Sequence, residues 1–63
     1  MINRLKMYRQ MVDYTQAQMA EKIKVSRQTI HAIESGKYVP STELALRLSQ
    51  ELNCQVEDLF SLD

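Results

Sequence analysis

A chain of 63 residues holds one domain with a small core and little room for an enclosed active site, because a domain of about 60 residues buries only ~60% of the surface of its unfolded chain. One cysteine excludes an intramolecular disulfide, and no apolar run approaches the ~18 residues of a membrane span. A single glycine and a single proline favour helices, so we predict a soluble, cytoplasmic, all-α domain. The net charge is zero, but residues 1–37 carry seven basic and three acidic side chains, whereas residues 38–63 carry one basic and five acidic side chains. This asymmetry predicts a basic side that faces a polyanion and an acidic side that faces away from it.

The N-terminal stretch has large side chains spaced three and four residues apart, which is the period of an amphipathic helix. These positions are Ile2, Leu5, Tyr8, Arg9 and Val12. The pattern predicts a first helix over residues 3–12, capped by the Asn3 side chain.

A second, short helix is predicted over residues 16–23. Thr15 stands where an N-cap is needed, and Gln18 three residues later completes the pattern of a capping box. The apolar positions of this helix fall on one face: Met19, Ala20 and Ile23.

The third predicted helix covers residues 27–34, with Ile30 and Ile33 facing inward. Ser26 caps its start, and Gly36 is the left-handed residue expected just past its end. The break at residues 24–26 has the length of the turn in a DNA-binding helix-turn-helix, whose second helix enters the major groove. We therefore predict a helix-turn-helix over about residues 15–35.

Two further helices are predicted in the C-terminal half. Ser41 caps a fourth helix over residues 42–52, and residues 56–60 are long enough for a short fifth helix. The inward positions of the fourth helix are Leu44, Ala45, Leu48 and Leu52. No repeat or linker indicates a domain boundary, so residues 1–63 are predicted to form one domain.

The outer face of the third helix carries side chains that suit base edges. They are Arg27, Gln28, Thr29, His31, Ala32 and Ser35. Arginine forks onto guanine, glutamine pairs with adenine, and the methyl of threonine or alanine contacts the methyl of thymine. The alternative is a plain solvated face, but such a face more often carries Glu and Lys four residues apart. Together with the helix-turn-helix spacing, this face favours DNA contact.

The run TQAQMAEKIKVSRQTIHAIESGKYVPS closely resembles the Cro/cI-type (Xre-family) helix-turn-helix regulators. The run LALRLSQELNCQVEDLF resembles the fourth and fifth helices of that family. The resemblance implies a five-helix, lambda-repressor-like all-α fold and sequence-specific binding to a double-stranded DNA operator. It also implies a homodimer, and a minimal member that consists of the DNA-binding domain alone.

The resemblance assigns roles by position. Gln16 matches a glutamine that bonds a phosphate and braces the first reading residues, and Lys37 and Tyr38 match a loop that touches the DNA backbone. Arg9 and Glu34 match a family pair that bridges the first and third helices, so Arg9 is expected to be partly structural and partly phosphate-facing. The residues predicted to contact DNA are Arg9, Thr15, Gln16, Arg27, Gln28, Thr29, His31, Ala32, Lys37 and Tyr38.

The C-terminal residues are predicted to serve assembly. An apolar set is expected to close the core and to meet a second copy about a two-fold axis: Val56, Leu59, Phe60 and Leu62. The ends 1–2 and 61–62 are candidates to pair as short strands. We expect no catalytic residue, metal, cofactor or small-molecule ligand. The predicted function is a DNA-binding repressor, and the alternative is a protein-binding adaptor or antitoxin-like module on the same fold.

Overall fold

The computed structural model describes all residues from Met1 to Asp63 and contains five helices and one small sheet. The helices are α1 (Leu5–Met11), α2 (Gln16–Ile23), α3 (Arg27–Glu34), α4 (Thr42–Glu51) and α5 (Val56–Leu59). The strands β1 (Ile2–Asn3) and β2 (Phe60–Ser61) pair antiparallel. The predicted five-helix, all-α architecture is confirmed, and α2 and α3 have the predicted bounds. No helix is both long enough and apolar enough to cross a membrane.

The first helix begins two residues later than predicted, because residues 2–3 form a strand. Asn3 still acts at the helix start: its Oδ1 accepts from the Leu5 N–H at 3.0 Å. Its Nδ2 donates to the Ile33 carbonyl at 2.5 Å, which joins the start of α1 to α3. The end of α1 at Met11 leaves Val12 exposed.

The two ends of the chain pair, as predicted, but one residue further inward. Ile2 lies opposite Ser61 and Asn3 opposite Phe60. Phe60 is therefore extended and does not continue α5, which ends one residue earlier than predicted. The Met1 ammonium lies 3.3 Å from the Asp63 carboxylate and holds the two ends together.

Capping fixes where the central helices start. The Thr15 Oγ1 accepts from the Gln18 N–H at 3.0 Å, and the Gln18 Oε1 accepts from the Thr15 N–H at 2.8 Å. Ser26 and Ser41 cap α3 and α4 through their hydroxyl oxygens. These bonds satisfy amide groups that the first turn of a helix leaves without partners. The predicted capping box and serine caps are confirmed.

The turn between α2 and α3 passes through a left-handed residue that is not glycine. Lys24 ends α2 with φ 61° and ψ 48°, and its N–H bonds the carbonyls of the last turn. This conformation crowds the Cβ of an L-residue. The predicted left-handed residue after α3 is Gly36, with φ 80°.

The core takes at least one side chain from every helix. Its members are Leu5, Met19, Ala20, Ile23, Ile30, Ile33, Leu44, Leu48, Leu52 and Leu59. All of the predicted inward positions of α2, α3 and α4 are buried. Leu59 is 0% exposed within its own chain, so it has no surface to offer a second copy. Its assignment to a subunit interface was therefore wrong, and the prediction is left with Val56, Phe60 and Leu62.

Candidate nucleic-acid interface

A buried ion pair anchors the helix-turn-helix to α1. The Arg9 Nε lies 2.6 Å from the Glu34 Oε2, and the side chains are 8% and 4% exposed. The Arg9 Nη2 donates to the Glu34 Oε1 at 3.2 Å, and its Nη1 donates to the Tyr14 carbonyl at 2.7 Å. Buried charges need such partners, because an unpaired one is strongly destabilising. The predicted structural role of Arg9 is confirmed.

The same pair limits what Arg9 can offer to the second role predicted for it, contact with a DNA phosphate. Three of its nitrogens already donate to protein acceptors, and little of the side chain reaches the surface. Arg9 therefore positions the interface, and its contact with a DNA phosphate stays a prediction.

The Glu34 carboxylate also holds Gln16, the first residue of α2. The Gln16 Nε2 donates to the Glu34 Oε1 at 3.1 Å. An amide nitrogen carries two hydrogens, so the second hydrogen of Gln16 remains available for a phosphate. Gln16 is half-buried, and Thr15 beside it is exposed at the N-terminus of α2. The start of α2 is thus locked to the end of α3 through one carboxylate.

The predicted reading face of α3 lies at the surface beside Gln16. An open cleft of about 360 Å³ is lined by Gln16, Arg27, Gln28 and His31. Arg27, Gln28 and His31 are exposed and free of hydrogen bonds to other side chains. The structure therefore brings four of the predicted DNA-contacting residues together, with their polar groups facing solvent.

Thr29 and Ala32 form a less polar edge of the same helix. Both are half-buried, and they are three residues apart, which places them on neighbouring turns of one face. The Thr29 Oγ1 lies 2.9 Å from the Ser26 Oγ, so its hydroxyl is engaged within the chain. The methyl of Thr29 takes no part in this bond and is available for an external contact. The sequence predicts Ser26 only as the N-cap of α3. Because Thr29 stands three residues later, at position N3, the Ser26 hydroxyl also bonds the Thr29 hydroxyl.

The loop after α3 folds back onto the end of that helix. The N–H groups of Lys37 and Tyr38 both donate to the Ala32 carbonyl, at 3.0 and 3.2 Å. The two side chains remain exposed at one end of the reading face. Lys37 and Tyr38 therefore lie where the backbone contact was predicted, next to α3 but outside its cleft.

No group of three or more His, Cys, Asp or Glu side chains is placed to hold a metal ion. Cys54, the single cysteine, is half-buried. Burial raises the pKa of its thiol, and the nearby Asp58 carboxylate raises it further. A raised pKa keeps the thiol protonated and lowers its reactivity.

Comparison with known proteins gives a consistent result. Residues 5–59 match a family model described as helix-turn-helix. An uncharacterized HTH-type transcriptional regulator of Methanocaldococcus jannaschii is 48% identical over 60 residues, which covers 95% of this chain and 91% of the relative. The uncharacterized HTH-type transcriptional regulator YgzD of Bacillus subtilis is 41% identical over 63 residues, which covers 100% of this chain and 96% of the relative.

Proposed function

Since the chain belongs to the helix-turn-helix family of DNA-binding transcriptional regulators, we propose that it is a repressor that reads a palindromic operator as a homodimer. The observation that carries this proposal is the exposed face of α3, where Arg27, Gln28 and His31 share a cleft with Gln16. An α-helix fits the major groove of B-DNA, and each of these side chain types has partners on base edges.

Base reading is assigned to α3. Arg27 stands at the first position of the helix, where it can fork onto the O6 and N7 of a guanine, and Gln28 can pair with an adenine. Side chains at the N-terminal end of a recognition helix are the ones that reach base edges. His31, one turn later, is placed for an edge base or the sugar–phosphate backbone.

Phosphate contacts are assigned to the two ends of this face. Gln16 and Thr15 lie at one end, and Lys37 and Tyr38 lie at the other. Backbone contacts fix the register of a protein on the duplex without reading sequence. The buried Arg9–Glu34 pair adds rigidity, because it ties Gln16 and the end of α3 to α1.

A dimer follows from the small size of the reading face. One α3 helix of eight residues covers a few base pairs, so two copies on successive major grooves, about 34 Å apart, double the readout. Repression requires only that the dimer occupy promoter DNA, whereas activation also requires a surface that touches the polymerase. These considerations favour a dimeric repressor.

The test starts with duplexes selected by the protein from a random DNA pool. We expect a palindromic consensus, and a log–log slope of affinity against salt near −5 to −9, as roughly 6–10 neutralised phosphates would give. Arg27→Ala should cost about 1–3 kcal/mol and relax the preference at one base pair of each half-site. Lys6→Ala removes one exposed positive charge from α1 and serves as the matched control.

Two results would contradict the proposal. Equal loss of affinity for all sequences in Arg27→Ala would make Arg27 a phosphate contact. Failure to retain any duplex at low salt would instead favour the alternative, a protein-binding module that keeps the helix-turn-helix shape.

A further inference from the structure

A second open cleft, of about 360 Å³, lies between the end of α2 and the C-terminal part of α4. It is lined by Lys22, Ile23, Lys24, Arg47, Gln50 and Glu51. Three of these side chains are cationic and one is anionic, so the lining has a net positive charge. Lys22 and Arg47 lie far apart in the sequence and come together only because α2 packs against α4.

The cations of this basic cleft are not neutralised within the chain. The chain has three ion pairs, and none of them involves Lys22 or Lys24. Arg47 pairs with Glu43 through Nη2 alone, which leaves its Nε and Nη1 without a partner in the chain. All three cationic side chains are exposed. Their charge is therefore open to an anion from outside the chain.

One of these cations is held in place. The Lys22 Nζ lies 5.7 Å from the centroid of the Tyr14 ring, which is a cation–π contact. The Tyr14 hydroxyl donates to the Glu51 Oε2 at 3.1 Å, so the same tyrosine contacts both walls of the cleft. A side chain that is already positioned loses less conformational freedom when it binds a partner. The ammonium of Lys22 is thus prepared for an external contact.

The basic cleft is separate from the reading face. Gln16 begins α2 beside the reading face, and Lys22 stands near the other end of the same helix. At 3.6 residues per turn and 1.5 Å per residue, Lys22 lies about 120° around the helix from Gln16 and about 9 Å along it. The two clefts share no lining residue. The positive charge of residues 1–37 is thus divided between two surfaces, since Arg27 and Lys37 lie at the reading face.

We propose that the basic cleft binds an acidic peptide segment of a partner protein and leaves α3 free for DNA. Clusters of basic side chains recognise acidic motifs in many peptide-binding proteins. A partner held by Lys22, Lys24 and Arg47 lies at the turn between α2 and α3 without covering the reading face. This surface gives the regulator a contact with another protein in addition to its contact with DNA.

The lining favours a peptide over other anions. The Glu51 Oε1 makes no hydrogen bond within the chain and can accept one from outside. A peptide carries N–H donors beside its carboxylates, whereas the phosphates of a DNA backbone carry acceptors only and are repelled by Glu51. Sites for small organic molecules are mostly apolar, but the single apolar residue of this cleft, Ile23, is buried.

The first experiment titrates a probe peptide into the whole chain and follows backbone amides by NMR. The probe is a capped peptide of about eight residues that alternates glutamate and glycine. We expect shifts confined to residues 22–24 and 47–51. The affinity should fall at least about threefold between about 0.05 and 0.3 M salt, because salt screens exposed charges. A peptide of glutamine and glycine should cause no shifts.

The variants separate loss of binding from loss of folding. Lys24→Gly removes one cation of the cleft and also relieves the left-handed backbone at this position, so its Tm should rise. It should nevertheless weaken peptide binding about threefold, and Lys22→Gln combined with it about tenfold, as exposed ion contacts allow. Lys6→Gln removes an exposed cation of α1 outside the cleft and should bind the peptide like the wild type.

Three results would overturn the proposal. The first is the absence of shifts at the cleft, or shifts confined to the reading face around Arg27. The second is an equal loss of affinity in Lys6→Gln and Lys24→Gly, which would reduce the binding to a general attraction of charges. The third is tighter binding of inorganic tripolyphosphate, which has no N–H donor, at the same amides, since this would make the cleft a phosphate site.

The basic cleft and DNA binding are tested apart. On a duplex selected by the protein, the chain should bind the probe peptide within about threefold of its affinity in free solution. Displacement of the peptide by the duplex would place the cleft on the DNA side and contradict the proposal. If no duplex is retained, the proposed function fails, and the peptide titration still decides whether the cleft binds acidic segments.

Discussion

Replacement of Glu34 by alanine should strongly destabilise the domain. The side chain is 4% exposed and accepts three hydrogen bonds, two from Arg9 and one from Gln16. Glu34→Ala leaves the Arg9 guanidinium buried with only the Tyr14 carbonyl as a partner. Removal of one partner from a buried pair costs about 3–5 kcal/mol.

This cost is large relative to the stability of the whole chain. At about 0.05–0.15 kcal/mol per residue, a domain of this length is stable by roughly 3–9 kcal/mol. A loss of about 3 kcal/mol corresponds to a fall in Tm of at least about 12 °C. Glu34→Ala is therefore expected to be largely unfolded or to melt far below the wild type.

Urea titration and thermal melting, both followed by circular dichroism at 222 nm, measure the effect. Glu43→Ala is the matched control, because its pair with Arg47 is also a Glu–Arg contact, at 2.5 Å, but the Glu43 side chain is 74% exposed. An exposed pair contributes less than about 1 kcal/mol. The double replacement Arg9→Met with Glu34→Leu should recover much of the loss, since a packed apolar pair can replace a buried ion pair.

Two results would refute this reasoning. Equal Tm values for Glu34→Ala and Glu43→Ala would show that the Arg9–Glu34 pair is solvated in solution. Additive costs of the Arg9 and Glu34 replacements would show that the two side chains do not interact.

Three further predictions follow from local geometry. Lys24→Gly should raise the free energy of unfolding by about 1 kcal/mol and Tm by about 4–8 °C, because Lys24 occupies the left-handed region. Gly36→Ala should lower both, because Gly36 also has a positive φ, although nothing lies within 4 Å of the added Cβ. Thr29→Ser should remove the preference for thymine over deoxyuridine at one position of each half-site, and Thr29→Val should keep it, because the Thr29 hydroxyl bonds Ser26 and its methyl is the group that can contact the methyl of thymine. Cys54 should react with iodoacetamide at pH 8 more slowly in the folded chain than in urea, because burial raises the pKa of the folded thiol; mass spectrometry measures both rates. As pH rises, the thiol of the unfolded chain ionises first, so this group lowers the stability of the fold above its ordinary pKa. A rate equal to that in urea would contradict the burial of this thiol.

The helix-turn-helix and the side chains on its outer face could be predicted from local sequence patterns. The bounds of α2 and α3 depend on Thr15, Ser26 and Gly36, whose effects reach only three or four residues along the chain. Inward and outward positions of α3 follow from the helical period alone, so Ile30 could be separated from Arg27 and Gln28 without a tertiary structure. The pairing of Arg9 with Glu34 came from a family resemblance, because no local pattern relates residues 25 positions apart.

Long-range packing sets which side of each short element faces the core. The four residues of α5 are too few for a period to define a face, so Leu59, which is buried, could not be told from Leu62, which is exposed. The pairing of β1 with β2 shifted the start of α1, because long-range backbone hydrogen bonds outweighed the local pattern at Asn3. An apolar groove is lined by Met1, Leu46 and Phe60, which lie far apart in the sequence. Such a surface forms only when the helices pack, because packing determines which apolar side chains remain outside the core.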